Sequence, residues 1–201
     1  MLRTMRRAVP LVAVLMVFAQ GAEAAPAVTV NVTISNFQFS PTPAKLHIGD
    51  SVLWTNNGPS SHTTTSDSPF SLWDSGTLGV GATFSWPFNA AGIFPYHCTV
   101  HPTMKALVGV LGAAFPRSGA AGTQFNIRVS KITAPPLFTY DAQMKAPGGQ
   151  WTDWMTGFSP GTVTWDSTGA QSGQYQFRSR LRRLSDGSAS GYSPATTVTV
   201  T

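Results

Sequence analysis

From residue 28 the chain alternates: Val28, Val30, Val32 and Ile34 are apolar, and Thr29, Asn31 and Thr33 between them are polar. A period of two puts successive side chains on opposite faces of an extended chain, so this stretch is a half-buried strand. Shorter apolar-rich runs follow at 45–48, 51–55, 83–88, 93–98 and 106–111. Turn formers divide them, among them Gly49-Asp50, Asn57-Gly58-Pro59, Gly79 to Gly81 and Ala91-Gly92. No stretch sustains a helical period, and the pattern predicts an antiparallel β-sandwich of roughly 90 residues.

At 112–122 the texture changes to G-A-A-F-P-R-S-G-A-A-G, which carries no strand signal and reads as a boundary. A second series of strands is expected at 124–130, 137–145, 162–165, 173–183 and 195–200. The fold class is therefore all-β, two sandwiches in a row. In S-G-Q-Y-Q-F-R-S-R-L-R, Tyr175, Phe177 and Leu181 fall on one face, and Arg178, Arg180 and Arg182 on the other. Three cations on one face repel unless something lies against them. Trp151 and Trp154 of the nearby W-T-D-W are candidates to sandwich guanidinium groups; a solvated basic face is the alternative.

The first residues stand apart from this pattern. Arg3, Arg6 and Arg7 precede an apolar run from Ala8 to Ala19, and Ala22-Glu23-Ala24 fits an A-x-A cleavage site. Residues 1–24 are thus expected to be a secretory signal, its apolar run too short to span a bilayer comfortably. No membrane span is expected after cleavage. The location is then exported: periplasmic, cell-surface or extracellular. Losing three arginines and Glu23 lowers the formal charge from +5 to +3, so part of the basicity belongs to targeting. With no run of lysine or arginine before residue 178, nucleic acid is excluded as a partner.

The chain has one cysteine and four histidines, and Y-H-C-T-V-H-P-T-M, residues 96–104, gathers the cysteine and two of the histidines. A lone cysteine in an exported protein has no internal disulfide partner, which leaves a buried thiol, an intermolecular link or a metal ligand. Cys98, His101 and Met104 sit two residues apart on one expected loop, so sulfur, nitrogen and thioether can converge. A fourth ligand must come from elsewhere, and His62 in S-S-H-T-T-T-S-D is the available imidazole. His97 is excluded because it faces away from Cys98 on a strand, and His47 alternates with Leu46 and Ile48 as an exposed residue. A thiolate, two imidazoles and a thioether suit copper in both oxidation states, whereas zinc would make little use of the methionine. The competing reading is that Cys98 and Met104 are soft core filler.

Residues 28–111 resemble a type 1 blue copper protein of the plastocyanin and amicyanin family. The resemblance rests on I-S-N-F-Q-F-S-P, I-G-D-S-V-L-W-T-N, S-H-T-T-T-S-D, W-D-S-G-T-L-G-V-G-A-T-F-S and G-I-F-P-Y-H-C-T-V-H-P-T-M. It implies a Greek-key cupredoxin sandwich at 25–112 that binds one type 1 copper ion through His62, Cys98, His101 and Met104. It also implies that the electron leaves by the outer edge of His101, flanked by Pro102 and Met104. One departure stands out: Thr63 follows the first histidine, where many members carry an asparagine that tethers the cysteine loop. The second half, 113–201, resembles a fibronectin type III domain, an immunoglobulin-like sandwich, in L-F-T-Y-D-A-Q-M-K, G-G-Q-W-T-D-W, G-Q-Y-Q-F-R-S-R and S-G-Y-S-P. That resemblance implies a tyrosine corner at Tyr175.

The expected function is outer-sphere transfer of single electrons between a redox donor and acceptor, with no enzymatic activity. A binuclear copper centre needs a second cysteine, and a multicopper oxidase needs more histidine clusters. Two other readings remain open at this stage. One is a cell-surface binding protein with a structural or sensory copper and a surface ligand for its C-terminal half. The other is copper buffering or delivery in the envelope.

Overall fold

The computed structural model describes residues 26–35, 37–68 and 70–201; the expected signal at 1–24 lies outside the described residues. Every helix or strand among the described residues is a strand. The first eight are β1 (Thr29–Ser35), β2 (Gln38–Ser40), β3 (Ala44–His47), β4 (Ser51–Asn56), β5 (Thr65–Ser66), β6 (Thr83–Pro87), β7 (Gly92–His97) and β8 (Lys105–Leu111). They form two sheets, β2-β1-β4-β6 and β3-β8-β7-β5. The alternation read from β1 is observed in its burial, with Val32 and Ile34 inside. The core between the sheets is built on Trp54, which is fully buried against Trp73, Phe84 and Tyr96 with ring centroids 5.6–5.9 Å away.

This sandwich is not purely antiparallel, contrary to the expectation from sequence. β1 pairs in parallel with β4, and β3 in parallel with β8. The cause is the path: β3 lies in the opposite sheet, so the chain re-enters the first sheet running alongside β1 after a crossover. Nothing in a strand's own alternation records the direction of its neighbour.

The remaining strands are β9 (Ala113–Phe115), β10 (Ser118–Gly119), β11 (Gln124–Arg128), β12 (Phe138–Lys145), β13 (Trp151–Phe158), β14 (Thr162–Asp166), β15 (Gly173–Arg183) and β16 (Thr196–Val200). They make a second pair of sheets, β14-β11-β9 and β10-β16-β15-β12-β13. Phe125, Tyr140, Phe177 and Val198 fill the space between them. The stretch expected to lack strands holds both β9 and β10. β9 pairs with β11, and β10 runs parallel to β16. Small residues conceal these strands, because their extended form comes from the partner's hydrogen bonds rather than from side-chain alternation.

β15 divides its side chains as the sequence predicts: Tyr175, Phe177 and Leu181 are buried, and the arginines face out. The Tyr175 hydroxyl donates to the Gln171 carbonyl at 3.1 Å. The cations are not merely solvated. Arg178 lies 4.2 Å from the centre of the Trp151 ring and 4.8 Å from that of Tyr192, and Arg180 lies 4.6 Å from Tyr192. Trp154 does not join them; it packs edge-on against Phe177 at 5.1 Å. An odd spacing puts Trp151 and Trp154 on opposite faces of β13, so Tyr192 supplies the second ring. Beneath the stack the fully buried Asp141 carboxylate accepts from Arg180 Nε at 2.9 Å, Arg182 Nη2 at 2.6 Å and the Gly157 amide at 3.1 Å. Burial pushes this carboxyl up, but the Arg182 and Arg180 hydrogen bonds, the Gly157 amide and the Arg182 charge outweigh it and hold it below the usual carboxylate range.

The chain passes between sandwiches at Gly112, where a Cβ would sit 2.7 Å from the Arg128 carbonyl. Backbone bonds stitch the seam: Ala91 N to Val129 O, Lys131 N to Asn89 O, and a reciprocal pair between Ile93 and Gly191. Gly191 permits that pairing, since a Cβ there would meet the Cβ of Ile93 at 2.9 Å. β7 begins at this seam and ends next to Cys98. At about 3.3 Å per residue the thiol stands roughly 16 Å from the Ile93 pairing.

Candidate metal centre

Cys98 follows the last residue of β7. The pleat turns Tyr96 and Cys98 inward, both fully buried, and His97 outward, where its Nδ1 lies 2.5 Å from Asp67 Oδ1. The chain then closes a tight loop: the Cys98 amide donates to the Met104 carbonyl at 3.1 Å, and the Met104 amide to the His101 carbonyl at 2.8 Å. Those bonds bring His101 back beside the cysteine and leave Met104 buried in the same apolar cluster as Cys98. His62 arrives from a different segment. Its amide and carbonyl exchange bonds of 3.1 and 2.7 Å with Leu78, and its ring is almost fully buried. His47 is exposed near Asp50, remote from this chemistry as its alternation implies.

Three donor atoms converge. Cys98 Sγ lies 3.8 Å from His62 Nδ1 and 3.7 Å from His101 Nδ1, and the two nitrogens are 3.2 Å apart. A triangle with these sides has its three corners about 2.1 Å from a common centre, close to ordinary metal–nitrogen and metal–sulfur bond lengths. Among the described residues this is the one group of three or more His, Cys, Asp or Glu side chains arranged to hold an ion. Burial, with the neighbouring His101 adding to it, pushes the His62 imidazole below its ordinary value, which favours the neutral form that a metal ligand requires.

The threonine that departs from the family pattern does the tethering. The Thr63 amide donates to Cys98 Sγ at 3.3 Å, and the Thr63 hydroxyl accepts from the Thr99 amide at 2.8 Å. The same hydroxyl lies 3.0 and 3.1 Å from those of Thr65 and Thr99. The segment bearing His62 is thereby fastened to the loop bearing Cys98 from both sides of the thiol.

One residue at the site was not singled out by sequence reasoning. Phe37 sets its ring edge-on to His101 at 4.8 Å and to His62 at 6.0 Å, while 58% of its surface stays exposed. Its φ of 60° is left-handed, a conformation costing a non-glycine residue about 1–2 kcal/mol. No periodicity signals such a turn, and the motif I-S-N-F-Q-F-S-P is its only trace in sequence.

No protein-family model matches the chain. Amicyanin-alpha of Methylorubrum extorquens is 31% identical over 94 residues, which span 45% of this chain and 79% of the relative. Among solved structures, a purple cupredoxin from Nitrosopumilus maritimus is 27% identical, covering 40% of this chain and 98% of that one, with a TM-score of 0.39. An oxidized amicyanin variant is 26% identical, covering 41% and 81%, with a TM-score of 0.39. On the identity and coverage of the Methylorubrum relative, the chain belongs to the amicyanin family, and 94 of its residues carry that kinship.

Proposed function

We propose that this protein is an exported type 1 copper protein that carries single electrons, with a cupredoxin domain at 25–112 and an accessory fibronectin type III-like domain at 113–201. The observation that carries the reading is the buried triangle of His62 Nδ1, Cys98 Sγ and His101 Nδ1, with Met104 on the same loop. One thiolate and two neutral imidazoles fit a copper ion better than zinc, because soft sulfur suits Cu(I) and imidazole also holds Cu(II). In this reading Met104 would supply a weak thioether. When bound, copper supplies a one-electron couple.

The residues around it do the rest. The Thr63 amide withdraws charge from the thiolate, and the Thr63–Thr99 bond fixes the two ligand segments, so little moves between oxidation states. Four protein ligands leave no position for a substrate, which makes this a carrier rather than an enzyme. His101 is partly exposed; Phe37 lies edge-on to its ring, and the exposed apolar Val100 and Pro102 flank it in sequence. A small apolar surface suits a redox protein that must dock and leave quickly. The hydroxyl of Tyr175 on the Gln171 carbonyl supports the fibronectin type III-like reading of the second sandwich. Among the described residues no helix is long and apolar enough to cross a membrane.

Voltammetry of the copper-loaded protein tests the carrier role. Fast, reversible one-electron response is expected, and Met104→Leu retains copper while raising the potential, because losing one donor to an apolar side chain disfavours the more highly charged Cu(II). Sluggish, irreversible response would favour copper buffering or a structural ion. Loss of the metal in Met104→Leu would overturn the reading of Met104 as the weak donor.

A further inference from the structure

The segment that carries His62 does not end at the metal site. Residues 62–66 and 73–78 lie against each other as an arm: His62 pairs with Leu78, the Thr64 amide donates to Ser75 Oγ at 2.8 Å, and the Ser66 amide donates to the Trp73 carbonyl at 2.9 Å. Trp73, at the end of the arm next to the tip, sits in the first core, its Nε1 donating to Thr64 Oγ1 at 3.2 Å. The tip lies in the other sandwich. Phe70 is buried in the second hydrophobic cluster against Phe138 at 5.9 Å, and Leu72 touches both clusters. Arg183, at the end of β15, donates to the Phe70 carbonyl at 2.7 Å, with its guanidinium 5.8 Å from the ring centres of both Phe70 and Phe138. Asp186 lies 3.7 Å from the same guanidinium and holds it in place.

We infer that the second sandwich braces the metal site: Phe70 and Arg183 are positioning residues that hold the arm, and through it the His62 imidazole and the Thr63 amide, against the Cys98 thiolate. A brace is needed on this side more than on the other. His101 and Met104 are fixed by bonds within their own short loop, whereas His62 depends on the arm, which pairs with β7 at Thr65 and Ser66, bonds the Cys98 loop through Thr63, and has its turn at Phe70 carried by the second sandwich. Burying an aromatic ring and bonding its carbonyl in a neighbouring core removes the freedom such a turn has. The accessory domain is thereby part of the site's rigidity and not only an attached module.

This inference rests on the copper reading, and the test separates the two. In the metal-free full chain, Phe70→Ala and, independently, Arg183→Gln are expected to speed hydrogen exchange of the Thr63 and Thr64 amides about tenfold or more. Exchange at Met104, inside the other ligand loop, stays within about twofold. In the copper-loaded chain the same variants shift the reduction potential and alter the copper EPR signal, and Phe70→Leu restores both. If exchange quickens equally across both ligand segments, or the potential is unchanged in both variants, the two residues are only glue between domains and the inference is wrong. If the unaltered chain holds no copper, the copper reading fails, while the exchange pattern still decides whether the arm is braced.

Discussion

The two sandwiches bury polar groups in opposite ways. In the second, Asp141 is enclosed but answered: Arg180, Arg182 and a backbone amide satisfy it, Tyr192 stacks on Arg180, and Trp151, Tyr192 and Gln143 engage the neighbouring Arg178. In the first, a sulfur and two ring nitrogens point at one another inside 3.8 Å, with only the Thr63 amide donated to the sulfur. A proton on the thiol or on one ring nitrogen can answer part of this cluster, but a cation at its centre answers all three atoms at once. A buried polar cluster whose members satisfy each other is scaffold, and one whose members all present the same kind of atom to a common centre is a site.

That contrast can be broken in graded steps. The largest effect is expected at the answered cluster. Asp141→Asn removes the carboxylate that bonds Arg180 and Arg182, and should destabilise the second sandwich by about 3–5 kcal/mol in calorimetric unfolding. Its pH dependence sharpens the point. A carboxyl held below its ordinary value stabilises the fold above the unfolded-state pKa of about 3.9, and that contribution is lost as pH falls through the lower folded value. Asp141→Asn should lack this acid-sensitive component while the remaining carboxylates keep theirs.

A smaller effect is expected at the tether of the unanswered cluster. Thr63→Val keeps the amide on the thiolate but strands the Thr99 amide, costing about 1–3 kcal/mol and lowering copper affinity roughly 10- to 100-fold in competition titrations. An affinity unaltered by this change would mean the hydroxyl plays no part in holding the two ligand segments together. The smallest is Tyr175→Phe, which removes the bond to Gln171 and should cost about 1 kcal/mol in the same unfolding measurement without altering the copper signal.

What the sequence made legible follows the same physics. β1 and β15 were readable because each buries one face beside solvent, and that contrast is written every second residue. β9 and β10 were not, because Ala113-Ala114-Phe115 and Ser118-Gly119 take their form from pairing with β11 and β16 rather than from their own side chains. The candidate donor residues and their loop spacing were local and visible, and the outward turn of His97 followed from the pleat. Long-range placement was hidden: that Thr63 spans 36 residues to reach Thr99, that Phe37 adopts a left-handed turn over His101, and that Phe70 lies in the neighbouring sandwich.

The most direct test of the central claim is a Cu(II) titration of the purified chain followed by visible absorption, alongside Cys98→Ser. One equivalent should produce an intense blue to purple band, bleached reversibly by ascorbate, and the serine variant should produce none because the thiolate is gone. A colourless complex, or an unchanged band in Cys98→Ser, would contradict it.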